Sequence, residues 1–258
     1  MQISDENVHL VRNLMDEVFG VENFVGQIYI KKSGMMVGNL LKSAGYYQVW
    51  YAGNRGNLKY RELLLDKSPG TGIGKLYDRI ESPDGKTQRK MTLSEIFNPD
   101  TIPDGWRPYQ LITLTTGGFR ENTTVPYELE GKTYHPGSDK CWRTTVEGLD
   151  RLRKLKRIQS RGELLYYKAY LDDFPAAELT SLWADVGSQG EDMMYVVQTP
   201  RKAIARCVLM TTDPGDLVLD PTCGSGTTAY VAEQWGRRWV TCDTSRVAIT
   251  LAKQRFMT

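Results

Sequence analysis

At 258 residues the chain has room for one large α/β domain, or for one such domain carrying a sizeable insertion. Its 40% hydrophobic and 25% charged residues exclude a disordered or fibrous chain, and a net charge of only +2 means that attraction to a polyanion has to come from local clusters of Lys and Arg. Cys141, Cys207, Cys223 and Cys242 form no CxxC pair, no apolar run is long enough for a membrane span and no signal peptide opens the chain, so a reduced cytoplasmic protein without zinc or membrane is expected.

Residues 4–19 open with Ser4, Asp5, Glu6 and Asn7 and place Val8, Val11, Leu14, Met15 and Val18 at helical spacing, which predicts a capped amphipathic helix. Residues 23–30 and 46–51 are rich in β-branched and aromatic side chains and predict two strands joined by a Lys/Ser/Gly-rich connection. From about Asn54 to Gly190 the periodicity weakens, and a separate lobe is expected. Within it Val146, Leu149, Leu152, Leu155 and Ile158 recur every third residue, while Arg151, Arg153, Lys154, Lys156 and Arg157 fill the gaps. That is a short basic amphipathic helix. Such a helix is more often a solvated face than a phosphate contact, just as Trp106, Trp142 and Trp183 are more often core than base-stacking residues. The final stretch alternates: a helix at 201–210, a turn at Asp213, Pro214 and Gly215, a strand at 217–219, a glycine loop, a helix at 227–235, a strand at 239–241 and a helix from Ser245 onward. Strand and helix in alternation predict a parallel sheet.

The glycine loop reads Asp220, Pro221, Thr222, Cys223, Gly224, Ser225, Gly226, Thr227, Thr228. A strand that ends in an acid and runs through Gly-Ser-Gly into a helix makes a tight turn at the carboxyl edge of a sheet, where ligands bind. Gly224 and Gly226 allow close approach to the main chain, and Thr227 or Thr228 can cap the helix behind them. Asp243 ends the next strand, at the position where a carboxylate accepts hydrogen bonds from both hydroxyls of a ribose. A dinucleotide is one candidate ligand, since Gly224, Gly226 and Ala229 satisfy the looser G-x-G-x-x-A pattern, although Asp220 and Pro221 are foreign to it. A phosphate-binding loop lacks its lysine. S-adenosylmethionine, which has a ribose and no phosphate, fits better.

These residues resemble a known family. Residues 215–228, followed by 232–239 and Asp243, look like the cofactor motif of bacterial site-specific DNA amino-methyltransferases of the beta-type motif order. Residues 195–201, with Gln198 and Pro200, are similar to the segment that supports the methionine part of the cofactor in that family. Residues 2–7, 14–20 and 22–24 are similar to the stretch just after the catalytic strand in modification subunits of type III restriction-modification systems. Thr222 stands where the family usually has Phe.

The resemblance implies an α/β, Rossmann-like S-adenosylmethionine-dependent methyltransferase sheet, incomplete, with an inserted α+β target-recognition lobe. It divides the chain into core at 1–53, target-recognition insertion at 54–190 and cofactor-binding core at 191–258. The implied reaction moves the methyl of S-adenosylmethionine to the exocyclic amine of a flipped base in double-stranded DNA, with adenine as the target on resemblance alone. A second modification subunit and a restriction subunit are the implied partners. The cofactor would be held by Asp220, Pro221, Thr222, Cys223, Gly224, Ser225, Gly226, Thr227, Asp243, Gln198 and Pro200. The family's Asp-Pro-Pro-Tyr tetrad does not occur in these residues, so no catalytic residue is assigned, and a chain truncated at the N-terminus and also at the C-terminus is expected. Two other readings stay open: a catalytically inactive fragment serving only as a DNA-binding module, and a small-molecule methyltransferase.

Overall fold

The computed structural model describes residues 1–32, 42–70, 72–186 and 198–257. Residues 33–41 of the connection between the first two predicted strands, residues 195–197 and the 190/191 boundary lie outside the described residues. The chain forms two compact units, Met1–Leu64 with Glu178–Thr258, and Leu65–Ala177.

In the first unit β1 (Gln2–Ile3), β2 (Phe24–Lys31), β3 (Gly45–Tyr51) and β4 (Leu182–Trp183) build one sheet in the order β1-β3-β2-β4. β3 runs antiparallel to both β1 and β2, and β4 lies parallel to β2 with Trp183 opposite Ile30. Alternation along β2 and β3 puts Ile28, Ile30 and Tyr46 on a buried face with Trp183, Val186, Ala203 and Met210. Trp183 is 1% exposed, and its indole N–H donates to the Thr180 carbonyl at 2.8 Å, so the ring is buried with its polar atom satisfied. The helix α1 (Val8–Phe19) half-buries Val8, Val11 and Met15, whereas Leu14 and Val18 of the predicted stripe are exposed. Its N-cap Asn7 makes no side-chain capping bond, so the expected cap is not used.

The same unit holds the parallel pair β5 (Leu217–Asp220) and β6 (Arg238–Thr241), in register from Leu217 opposite Arg238 to Asp220 opposite Thr241. Three helices accompany it: α2 (Arg201–Thr211), α3 (Thr227–Gln234) and α4 (Arg246–Met257). They follow the strand and helix alternation read from the sequence.

The second unit is centred on a five-stranded antiparallel sheet, in the order Ile158–Arg161, Leu164–Tyr170, Arg107–Thr113, Arg79–Glu81, Gln88–Lys90. Within it Lys168 and Glu81 form a buried ion pair at 2.8 Å, and the Tyr170 hydroxyl donates to the same carboxylate. The helix Val146–Lys154 is capped by Thr145 and turns Val146, Leu149 and Leu152 onto a core with Leu114, Tyr127, Trp142 and Leu165. It ends sooner than the three-residue repeat predicts. Lys156 takes a left-handed φ of 56°, Leu155 is 67% exposed, and Ile158 already begins a strand.

The sequence places the inserted lobe at 54–190, and the compact unit is shorter, 65–177. Residues 59–61 are tied to the first unit because Lys59 pairs with Asp213 and Asp216 and the Arg61 N–H donates to the Met210 carbonyl at 2.9 Å. Residues 182–183 belong to it because they extend the sheet beside β2. Arg206, itself buried, holds Asp185 in a two-bond contact at 2.6 and 2.9 Å, which keeps that carboxyl well below the usual carboxylate range. Replacing Trp183 by Ala is expected to destabilise the protein by about 3–5 kcal/mol through the cavity left beside Ile30. A urea denaturation midpoint no lower than that of the wild type refutes this.

Candidate functional site

β5 and β6 end at the same level, and backbone pairing continues beyond both strands. The Cys242 N–H donates to the Asp220 carbonyl at 3.0 Å, and the Cys223 N–H donates to the Cys242 carbonyl at 2.9 Å. The Asp220 carboxylate accepts the Thr222 N–H at 3.1 Å, which folds the chain over at Pro221. Gly224 and Gly226 then take left-handed φ values of 50° and 73°, which bring the chain round into α3. The expected threonine cap does not form: Gly226 is the N-cap residue, and the Thr227 hydroxyl instead lies 3.1 Å from that of Ser225.

Asp243 closes the turn from the second strand. One carboxylate oxygen accepts the Gly224 N–H at 2.9 Å and the other the Ser245 N–H at 2.8 Å. Bonds from Ser245 and Gly224 hold its pKa below the ordinary value, so the group is a carboxylate at neutral pH. Each oxygen keeps a further lone pair, and the pair remains able to accept donors from a ligand.

A cavity of about 220 Å³ lies against this turn, lined by Gln198, Thr199, Ile204, Asp220, Thr222, Cys223, Gly224, Ser225, Thr227, Thr228 and Asp243. Eight of the residues singled out from the sequence therefore share one wall, namely Gln198, Asp220, Thr222, Cys223, Gly224, Ser225, Thr227 and Asp243. Gly226 sits behind it, where an added Cβ would come within 2.8 Å of the Ala252 Cβ. Pro200 is the N-cap of α2 and accepts the Ala203 N–H at 3.0 Å. Pro221 faces a neighbouring cleft of about 1130 Å³, lined among others by Gln2, Ile3, Ile28, Val49, Trp50, Met210 and Leu219. Thr199 and Thr228, which the sequence places in the 195–201 segment and the glycine loop without assigning them to the ligand, also line the small cavity, as does Ile204, for which the sequence carries no signal. Among the described residues no helix is long and apolar enough to cross a membrane.

A parallel strand pair, a glycine turn at its carboxyl edge and a carboxylate at the end of the second strand define a nucleoside-binding α/β site. Comparison with known proteins narrows this. The family model N6_N4_Mtase, described as DNA methylase, matches residues 1–254, and the chain belongs to this family. Its α/β architecture is that of an S-adenosylmethionine-dependent methyltransferase, and the family's methyl donor is S-adenosylmethionine.

The type II methyltransferase M.EcaI of Enterobacter cloacae is 28% identical over 249 residues, which are 94% of this chain and 49% of that protein. The type II methyltransferase M2.DpnII of Streptococcus pneumoniae is 40% identical over 61 residues, 24% of this chain and 23% of that protein. The chain thus spans about half the length of M.EcaI and less of M2.DpnII. Among solved structures, the cytosine-N4-specific PvuII DNA methyltransferase is 18% identical with a TM-score of 0.30, covering 45% of this chain and 48% of that one. The complex of M1.HpyAVI with SAM is 16% identical with a TM-score of 0.29, covering 65% of this chain and 72% of that one.

Because Gly226 combines a left-handed backbone with contact to Ala252, Gly226→Ala is expected to destabilise the protein by about 1–3 kcal/mol. Thermal unfolding followed by circular dichroism checks this, and an unchanged midpoint contradicts it.

Proposed function

We propose that the cavity beside the glycine turn holds S-adenosylmethionine, and that the chain is the cofactor-binding and target-recognition part of a site-specific DNA methyltransferase of a restriction-modification system. The observation that carries this is the placement of the ionised Asp243 beside the turn of Gly224, Ser225 and Gly226, at one cavity on the carboxyl edge of parallel strands. In this reading Asp243 accepts the ribose hydroxyls. The turn of Asp220, Pro221, Thr222, Cys223, Gly224, Ser225, Gly226 and Thr227 packs against the nucleoside, and Gln198 and Pro200 lie toward the methionine part. A dinucleotide is disfavoured because Asp220 lines the same cavity, where a pyrophosphate would meet its carboxylate.

Bound S-adenosylmethionine supplies an activated methyl group for transfer to the exocyclic amine of a flipped base, with adenine as the proposed target. No Asp-Pro-Pro-Tyr occurs in these 258 residues. The residues present can bind and orient the donor, and no group among them is assigned to the amine, so this chain alone is expected to bind without turning over. The proposed partners are double-stranded DNA, a second modification subunit and a restriction subunit, in the cytoplasm. Titration calorimetry with S-adenosylmethionine tests the reading directly: binding is expected in the wild type and is expected to be lost in Asp243→Ala. Equal affinity in the two proteins rejects it.

A DNA-binding module without catalysis is the second reading, and the basic residues along the helix Val146–Lys154 favour it. Its apolar side chains enter the core of the second unit, which leaves Arg151, Arg153, Lys154 and the following Lys156 exposed, Arg153 paired with Asp150. Arg157, just before the next strand, is held by Asp173. If Arg151, Lys154 and Lys156 contact phosphates, replacing them together by Gln is expected to weaken duplex binding and to reduce the slope of log K against log salt by about 3. A slope identical to that of the wild type rules the contact out.

A further inference from the structure

The last helix, α4, reaches the glycine turn from behind. Ala252 lies against Gly226, and three residues on, on the same helix face, Arg255 extends back along the turn. Its Nη1 donates to the Ser225 carbonyl and to the Thr227 hydroxyl, both at 3.1 Å. The guanidinium lies 5.3 Å from the centroid of the Tyr230 ring on α3. Arg201 places its own guanidinium 5.2 Å from the same ring. Arg255 does not line the cavity, whereas Ser225 and Thr227 do.

The direction of these bonds follows from the cation. A guanidinium has only donors and does not lose its charge. Thr227 Oγ1 therefore accepts from Arg255 and has its own proton to give to Ser225 Oγ, 3.1 Å away. Ser225 Oγ in turn donates to Gln198 Oε1 at 3.3 Å. Gln198, Ser225 and Thr227 are all buried. Side chains from α4, the turn and the segment before α2 thereby share one polarity, started by a charge outside the cavity and ending on an amide that lines it.

We propose that Arg255 is a positioning residue for cofactor binding: it fixes the peptide at Ser225 and, through Thr227 and Ser225, the orientation of the Gln198 amide. This rests on the reading of the cavity as the S-adenosylmethionine site. A role in packing alone would lower stability and leave the contribution of Gln198 to binding untouched.

The test is a double-mutant cycle of Arg255→Ala with Gln198→Ala, read by calorimetry with S-adenosylmethionine and accompanied by hydrogen exchange of the peptide covering residues 222–228. Arg255→Ala is expected to weaken binding about tenfold, the scale of one charged hydrogen bond. In the Gln198→Ala background the same change is expected to matter less than about threefold, since the two residues act through one chain of contacts. Arg255→Lys, which keeps the charge, should recover part of the loss, and Thr227→Val, which cuts the chain while leaving Arg255, should reproduce part of it. Should Arg255→Ala not fold, the lysine and valine variants carry the same comparison.

Additive losses, or unchanged affinity in a folded Arg255→Ala, overturn the proposal. A wild type that takes up no S-adenosylmethionine removes the cofactor reading and the binding role with it. Exchange at 222–228 then judges the anchoring of the turn alone: acceleration in Arg255→Ala sustains the anchoring, and unchanged protection refutes it.

Discussion

The bond from the Gly224 N–H to the Asp243 carboxylate is the constraint on which the cavity depends. It joins the end of one parallel strand to the turn that leaves its neighbour, and it continues a ladder already carried past the strands by Cys242 and Cys223. Remove that tie and the turn has a half-buried donor to satisfy elsewhere, while the neighbouring N–H groups of Thr222, Cys223 and Gly226 are already paired. The left-handed conformations at Gly224 and Gly226 complete the constraint. A side chain at either position would resist the angles that bring the main chain round the cavity. The charge on Asp243 follows from the same geometry, because the backbone N–H groups that orient it also favour its ionised form.

In the unit of residues 65–177 the Lys168–Glu81 and Arg89–Glu95 pairs are drawn partly or wholly into the interior, and Arg107 and Arg157 are matched by Asp172 and Asp173. Arg107 and Arg157 also lie over the Tyr170 ring, at 3.9 and 4.4 Å from its centroid. Those basic side chains are thus answered internally, whereas Arg151, Arg153, Lys154 and Lys156 are exposed. In the other unit Arg206 is buried against Asp185, and at the glycine turn Gln198, Ser225 and Thr227 are buried with their oxygens paired. Such a preformed arrangement suits a ligand that is bound by many short contacts to backbone and small side chains.

Much of this was legible in the sequence for identifiable reasons. The alternation of strand, glycine turn and helix after residue 200 is a local pattern, and each element there follows its own periodicity. The glycines and the two aspartates sit at fixed distances along the chain, so their convergence on one cavity follows from the βαβ connection itself. The details that failed are those in which a partner distant in sequence intervenes. Thr227 bonds Ser225 and Arg255 and does not cap α3. The three-residue repeat through Ile158 is interrupted because Ile158 pairs with Tyr167 in a sheet. Residues 182–183 leave the predicted lobe because β2 offers them an edge.

By itself, then, the sequence determined the parallel pair, the turn between Asp220 and Thr227, the position of the acid at 243 and the family to which these belong. Local conformational preference and fixed chain spacing are enough for each of them. Only the tertiary structure decided where the inserted unit begins and ends, which helix in the chain supports the turn from behind, and which wall residues join the cavity. Those outcomes depend on contacts such as Arg255 to Ser225 and Trp183 beside Ile30, made across tens or more than a hundred residues of chain. Their physical origin is the burial of side chains and the pairing of polar groups in three dimensions, for which a linear pattern carries no signal.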